Sequence, residues 1–174
     1  MDKRLEANLR VKGSITDALF ALMQKKNLAD ITITEIINDA GVARASFYRN
    51  YKSKSDVIVV FIRDILERFR NGREITSINY RSRQHVKKFF LYFRTYSSYF
   101  INLYNANLIS LLIDELNAFQ AAMAGEAAMS SPDKYCVYFY MGALFNVSFE
   151  WTRAGCVEPL DDMVDVFCKE MGII

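Results

Sequence analysis

The sequence contains little that would stop a helix and little that would perform covalent chemistry. Only 2 prolines and 7 glycines interrupt its 174 residues, too few for the turns of an all-β fold, so long helical runs are expected. A single histidine, His85, stands beside Gln84 and near Arg83, Lys87 and Lys88. With no acidic neighbour in sequence to orient it as a base, it reads as a surface or helix-end residue. Asp114-Glu115 and Asp161-Asp162 are adjacent pairs, which point to different sides of a helix and do not jointly hold a metal. No glycine-rich phosphate loop and no G-x-S-x-G is present. The 3 cysteines, Cys136, Cys156 and Cys168, have no CxxC spacing and read as reduced core thiols rather than a disulfide framework or a metal site. Catalysis, a metal and a cofactor are therefore not expected. Apolar runs are broken well before the roughly 20 residues that cross a bilayer, and MDKRLEANLR has no signal-peptide core. A cytoplasmic protein is expected.

What is present is apolar and unevenly charged. With 52% hydrophobic residues, a chain of this length can bury a substantial core, as one domain or as a small module joined to a larger one. Residues 1–54 carry 10 Lys/Arg against 6 Asp/Glu, whereas residues 55–174 carry 12 against 14. The basic surface belongs to the first third. A first helix is expected from about Asn8 to Lys26, with Ile15, Ala18, Leu19, Leu22 and Met23 on one stripe and Asn27 ending it in a left-handed conformation. Thr32-Ile33-Thr34-Glu35 is a capping box that opens a short helix, whose buried side is Ile33, Ile36 and Ile37 and whose end is the sharp turn at Gly41. A third short helix spans about Arg44 to Tyr51. Ser53-Lys54-Ser55-Asp56 repeats the capping pattern at the start of a fourth, amphipathic helix.

Two short helices around a Gly-containing turn, the second polar and basic outside, have the form of a helix-turn-helix. A helix that enters a major groove presents short polar or basic side chains to base edges while its other face anchors to supporting helices. Arg44, Ser46, Arg49 and Asn50 are candidates for the outside, and Val42, Ala45 and Phe47 for packing or close approach. The run GVARASFYRNYKSK, preceded by ITDALFALMQKKNLADITITEI, resembles the DNA-binding domain of TetR-type transcriptional regulators from about Asn8 to Arg63. The resemblance implies an all-α protein of about nine helices: a three-helix DNA-binding domain over 1–54, a connecting helix over about 54–72, and a helical ligand-binding and dimerisation domain over 55–174. It further implies that Arg44, Ala45 and Ser46 face base edges, that Tyr48 touches phosphate or a thymine methyl, and that Arg49 and Asn50 reach backbone or bases. Thr34 occupies a DNA-contacting position where such regulators often place a longer side chain. Lys54 would meet phosphate, aided by the positive end of its helix, and Lys12 and Arg10 would add phosphate contacts. Phe47 and Tyr51 read as core.

Between His85 and Trp151 lie 16 of the 24 aromatic residues, eight of them from Phe89 to Tyr104 in one apparent helical stretch. Rings all round a helix are buried on more than one side, either in plain bundle packing or around an apolar cavity. The resemblance implies a small apolar or aromatic effector there, with Tyr92, Phe93, Tyr96, Phe100, Tyr104 and Tyr138 as candidate lining. Ser131-Pro132-Asp133 starts a long helix that ends before Gly155, and Glu158-Pro159-Leu160 opens the last helix. The same resemblance implies that these two helices pair across a two-fold axis in a homodimer, through Met141, Leu144, Trp151, Met163, Val164 and Phe167. The expected function is a repressor of palindromic operator DNA released by its effector. The other class left open is a coactivator or protein-interaction module whose C-terminal domain binds a protein partner.

Overall fold

The computed structural model describes residues 3–71, 81–125 and 132–173. Among them the chain is all-α: α1 Lys3–Met23, a 3-10 turn Leu28–Asp30, α2 Ile33–Ala40, α3 Arg44–Asn50, α4 Lys54–Asn71, α5 Arg83–Thr95, α6 Ser97–Asn105, α7 Ile109–Ala124, α8 Lys134–Arg153 and α9 Leu160–Glu170.

The N-terminal elements follow their local signals closely. Thr32 Oγ1 accepts from the Glu35 amide at 3.2 Å while the Glu35 carboxylate accepts from Thr32 N–H at 2.8 Å, so the capping box is complete. The Lys26 ammonium also lies on this carboxylate and, with the Thr32 amide and hydroxyl, holds the Glu35 pKa down to about 2. Gly41 ends α2 at φ +64°, a conformation that glycine adopts without steric penalty. At the start of α4, Ser53 Oγ accepts from the Asp56 amide at 3.1 Å, but the Asp56 carboxylate reaches one residue further back, to Lys52 N–H at 2.8 Å. Two boundaries differ from expectation. α1 begins at Lys3 rather than near Asn8, and it stops at Met23, with Asn27 extended at φ −62° rather than left-handed. The chain closes α1 with the Lys25 and Lys26 amides on Leu22 O instead.

The aromatic stretch is two helices rather than one. α5 and α6 are separated at Tyr96, φ −104° and ψ 18°, inside a Thr95-Tyr-Ser-Ser run whose hydroxyls compete for backbone groups; Thr95 Oγ1 donates to Leu91 O at 2.8 Å. The bend carries Phe100 onto Phe93, ring centroids 4.8 Å apart. One continuous core joins the two ends of the chain: Phe20 of α1 meets Phe61 of α4 at 5.4 Å and Tyr99 of α6 at 4.9 Å. Polar ties span the same seam, Tyr99 Oη donating to Asp17 at 2.6 Å and Asn102 to Phe20 O at 2.8 Å. Asp17 and burial together push the Tyr99 phenol up to about 12.

α8 starts at Lys134, with Pro132 and Asp133 in the preceding turn; the expected Ser131 cap lies outside the described residues. α8 ends before Gly155, φ +89°. α9 packs its apolar face on its own chain, Phe167 lying 6.2 Å from Phe90 and 5.9 Å from Tyr140. Ion pairs from Asp165 to Arg83 (2.6 Å) and Asp161 to Lys87 (2.6 Å) flank that contact on α5. These pairs are exposed and screened by solvent, so they add little to the docking of α9.

Candidate functional site

The helix α3 has seven residues, and its anchorage decides which of them face outward. Phe47 is completely buried, packed 5.7 Å from Tyr51, and burial pushes the Tyr51 phenol up to about 12. With Phe47 fixed inward, helical periodicity turns Arg44, Ala45, Tyr48 and Arg49 outward, and all four are exposed. Arg44 bridges the two helices of the motif: Nη1 donates to Thr34 Oγ1 and Nη2 to Tyr48 Oη, both at 3.3 Å, with the guanidinium 5.5 Å above the Tyr48 ring. These bonds are long and solvent-exposed. They orient the guanidinium toward the outer face without consuming its five donors. Ser46 and Asn50 are half-buried, and the Asn50 amide donates back to Ser46 O at 2.9 Å.

Residues 15–59 match the bacterial regulatory proteins of the tetR family. The chain carries a TetR-family DNA-binding domain. The match runs from the middle of α1 to the first turns of α4, and so covers the helix-turn-helix just described. That region is accordingly a DNA-binding domain of the kind found in transcription regulators.

Two lysines of this TetR-type domain that were expected to meet phosphate have partners within the chain. Lys12 forms an ion pair with Asp64 of α4, and the Lys54 ammonium donates to Ala29 O and Ile31 O, both at 2.7 Å. Each ties elements together near the surface, through a carboxylate in one case and two backbone carbonyls in the other. Neither association has a signal in local sequence. The early start of α1 adds what the sequence reading missed: Arg4 shares a crevice with Arg49 and Asn50 beside α3. The Leu5 and Leu9 spacing at the N-terminus was its available cue.

The rest of the chain holds a small apolar cavity of about 20 Å³, little more than one water, between α4, α5, α6 and α7. Of the six candidate lining residues, Tyr92, Phe93 and Phe100 are in its wall, together with Phe69, Phe89 and Phe119. Tyr96 instead lines a separate crevice with Tyr99, Asp64 and Arg68, against the DNA-binding domain. Tyr104 and Tyr138 are exposed and lie outside this wall. His85 corrects the expectation of a surface residue. It does start a helix, its amide donating to Ser82 Oγ at 3.2 Å, yet the side chain is 2% exposed and lines the cavity. Burial, with Lys88 nearby, lowers its pKa to about 4, so the imidazole is neutral. Gln120, also buried, joins it in the wall.

Five of the residues expected to pair two chains lie inside one chain. Met141, Leu144, Trp151, Val164 and Phe167 are all buried in the protomer, and Met163 is half-buried. The apolar face of α9 serves α5, and α8 uses one stripe for the core. Its other stripe is the exposed one: Tyr135 and Phe139 are 65% and 69% exposed, followed by Val147. Of the cysteines, Cys168 is a core thiol as expected, whereas Cys136 is exposed and Cys156 half-buried. Among the described residues no group of three His, Cys, Asp or Glu could hold a metal, and no helix is long and apolar enough to cross a membrane. Glu115 and Asp161 serve as ion-pair partners, Glu115 taking a bidentate pair from Arg63 at 2.8 Å.

Proposed function

We propose that the protein is a homodimeric repressor of palindromic operator DNA, released by a small apolar or aromatic effector. The observation that carries the DNA reading is the outward set on α3, with Arg44 held over Tyr48 and beside Thr34 while Phe47 is locked beneath. Arg44, Ala45 and Tyr48 address base edges, and Thr34 steadies Arg44 rather than reaching DNA itself. Ser46, Arg49 and Asn50 border the adjacent phosphates with Arg4. Lys12 and Lys54 help hold the reading head in place, and Lys54, bonded only to neutral carbonyls, keeps its charge and one donor for phosphate.

The exposed aromatic stripe of α8 supports self-association. Tyr135, Phe139 and Val147 run along one side with Gly142 and Ala143 between them, so a second copy of the helix can approach closely. Two reading heads related by symmetry suit a palindrome. Effector release has a direct route: α4 contributes Ile65, Leu66 and Phe69 to the cavity and is separated from α3 by only three residues. A ligand that prefers a shifted α4 changes the spacing of the two heads, by no more than its differential affinity for the two arrangements.

The test is fluorescence anisotropy on the DNA upstream of the gene at several salt concentrations. Arg44→Ala is expected to weaken binding by about 1–3 kcal/mol, and Arg49→Ala to lower the steepness of the salt dependence by about one contact. Unchanged affinity in Arg44→Ala would refute the assignment of α3.

A further inference from the structure

The outward face of α3 has few kinds of hydrogen-bonding group to offer a base pair. The helix, RASFYRN, contains no carboxylate. Its one amide, Asn50, is half-buried and turned back to Ser46 O at 2.9 Å. Ala45 is exposed but presents only a methyl. Arg49 lies to the side, in the crevice with Arg4 and Asn8 of α1. That leaves Arg44, whose guanidinium is tethered from two helices. Nη1 donates to Thr34 Oγ1 of α2 and Nη2 to Tyr48 Oη one turn along α3, both at 3.3 Å, with the Tyr48 ring 5.5 Å beneath. The tethers occupy two of the five guanidinium donors and leave three, enough for a two-pronged contact.

We propose that Arg44 reads a guanine of the operator through its O6 and N7, and that Thr34 and Tyr48 are positioning residues that hold the guanidinium in its reading pose. The inference rests on the reading of α3 as the DNA-contacting helix. A guanidinium is all donor, and in the major groove only guanine presents two adjacent acceptors. Adenine sets an N6 donor beside its N7, cytosine offers a donor alone, and thymine has one acceptor next to a methyl. The groups that answer adenine and cytosine are an amide and a carboxylate, and α3 presents neither outward. A phosphate would accept the same donors, but a phosphate contact is indifferent to sequence, so the two contacts are separable by measurement. The tethers also restrict the side chain before DNA arrives, so less rotamer freedom is lost on binding.

The experiment selects duplexes from a randomised DNA library with the full-length protein. Anisotropy is then measured on the selected duplex with each dG replaced in turn by 7-deaza-dG, which lacks the N7 acceptor. The unaltered protein is expected to lose about fivefold or more in affinity at one dG position per half-site. Arg44→Ala should be indifferent to the replacement there while still binding unselected duplex; Arg44 is exposed, so its loss is not expected to disturb folding. Thr34→Val and Tyr48→Phe should each lower the ratio of affinities for the dG and 7-deaza-dG duplexes, a ratio that partial unfolding does not move, and Thr34→Ser should keep it. The guanine contact is overturned by a selected sequence without a G·C pair, by insensitivity at every dG, by a sensitivity that survives in Arg44→Ala, or by an Arg44→Ala loss equal on selected and unselected duplexes. An unchanged ratio in both Thr34→Val and Tyr48→Phe overturns the positioning role. Enrichment of no duplex at all removes the DNA reading of α3 together with this proposal, whereas enrichment of a guanine-free sequence removes the proposal alone.

Discussion

The DNA-reading motif and the aromatic body solve opposite problems with side chains of similar polarity. On α3, polar residues face outward over one fully buried anchor, Phe47, and their few internal bonds are long and exposed. Around the cavity, His85 and Gln120 are buried beneath rings and have no strong partner among the described residues. A polar group at the surface is satisfied by water until DNA replaces it. One in the interior destabilises the protein until something supplies its bonds. The first arrangement therefore keeps its stability while waiting for a partner, and the second gives up stability in the free protein.

The largest effect should come from removing the anchor of the first arrangement. Phe47→Ala leaves a cavity under α3 and is expected to lower stability by about 3–5 kcal/mol in urea unfolding; a loss below 1 kcal/mol would mean that the outward set has some other support. Next is the pH dependence of the second arrangement. The unfolded chain protonates His85 near its ordinary 6.5 and the folded chain only near 4. Stability is thus complete above 6.5, declines by up to about 3 kcal/mol as the pH falls to 4, and has no further contribution from this group below that. His85→Phe should flatten this limb while leaving the carboxylate-driven losses at lower pH, where Glu35 begins to protonate. Identical pH profiles for the two proteins would show that the imidazole is not buried in its neutral form.

Smaller changes sharpen the contrast. Thr32→Ala removes half of the capping box before α2 and is expected to lower stability by about 1 kcal/mol, with operator affinity falling only in proportion to the unfolded fraction. Arg83→Ala breaks an exposed pair to α9 and should leave the unfolding midpoint nearly unchanged. A larger effect there would place the docking of α9 on electrostatics rather than on Phe167.

The motif was readable because its determinants are local. Thr32, Glu35, Gly41 and Ser53 act within a few residues of their partners, and Ile36 and Phe47 follow helical period. The family match falls on this same region. The ligand and dimer candidates were harder to place, since periodicity marks a residue as apolar without saying which neighbour covers it. Tyr92, Phe93 and Phe100 do reach the cavity; Tyr104 and Tyr138 face outward, and Leu144 and Trp151 are core. The intramolecular partners of Lys12 and Lys54 were not legible for a related reason: Asp64 and Ala29 are distant in sequence.

By itself the sequence determined an all-helical chain with a helix-turn-helix near its start, because caps, turn glycines and apolar spacing operate over distances of one or two helical turns. Only the tertiary structure decided that the lone histidine lies in a cavity wall, that α9 is docked on its own chain, and that a stripe of α8 is left uncovered. Those outcomes depend on which helix faces come together, and that is settled by the packing of the whole core.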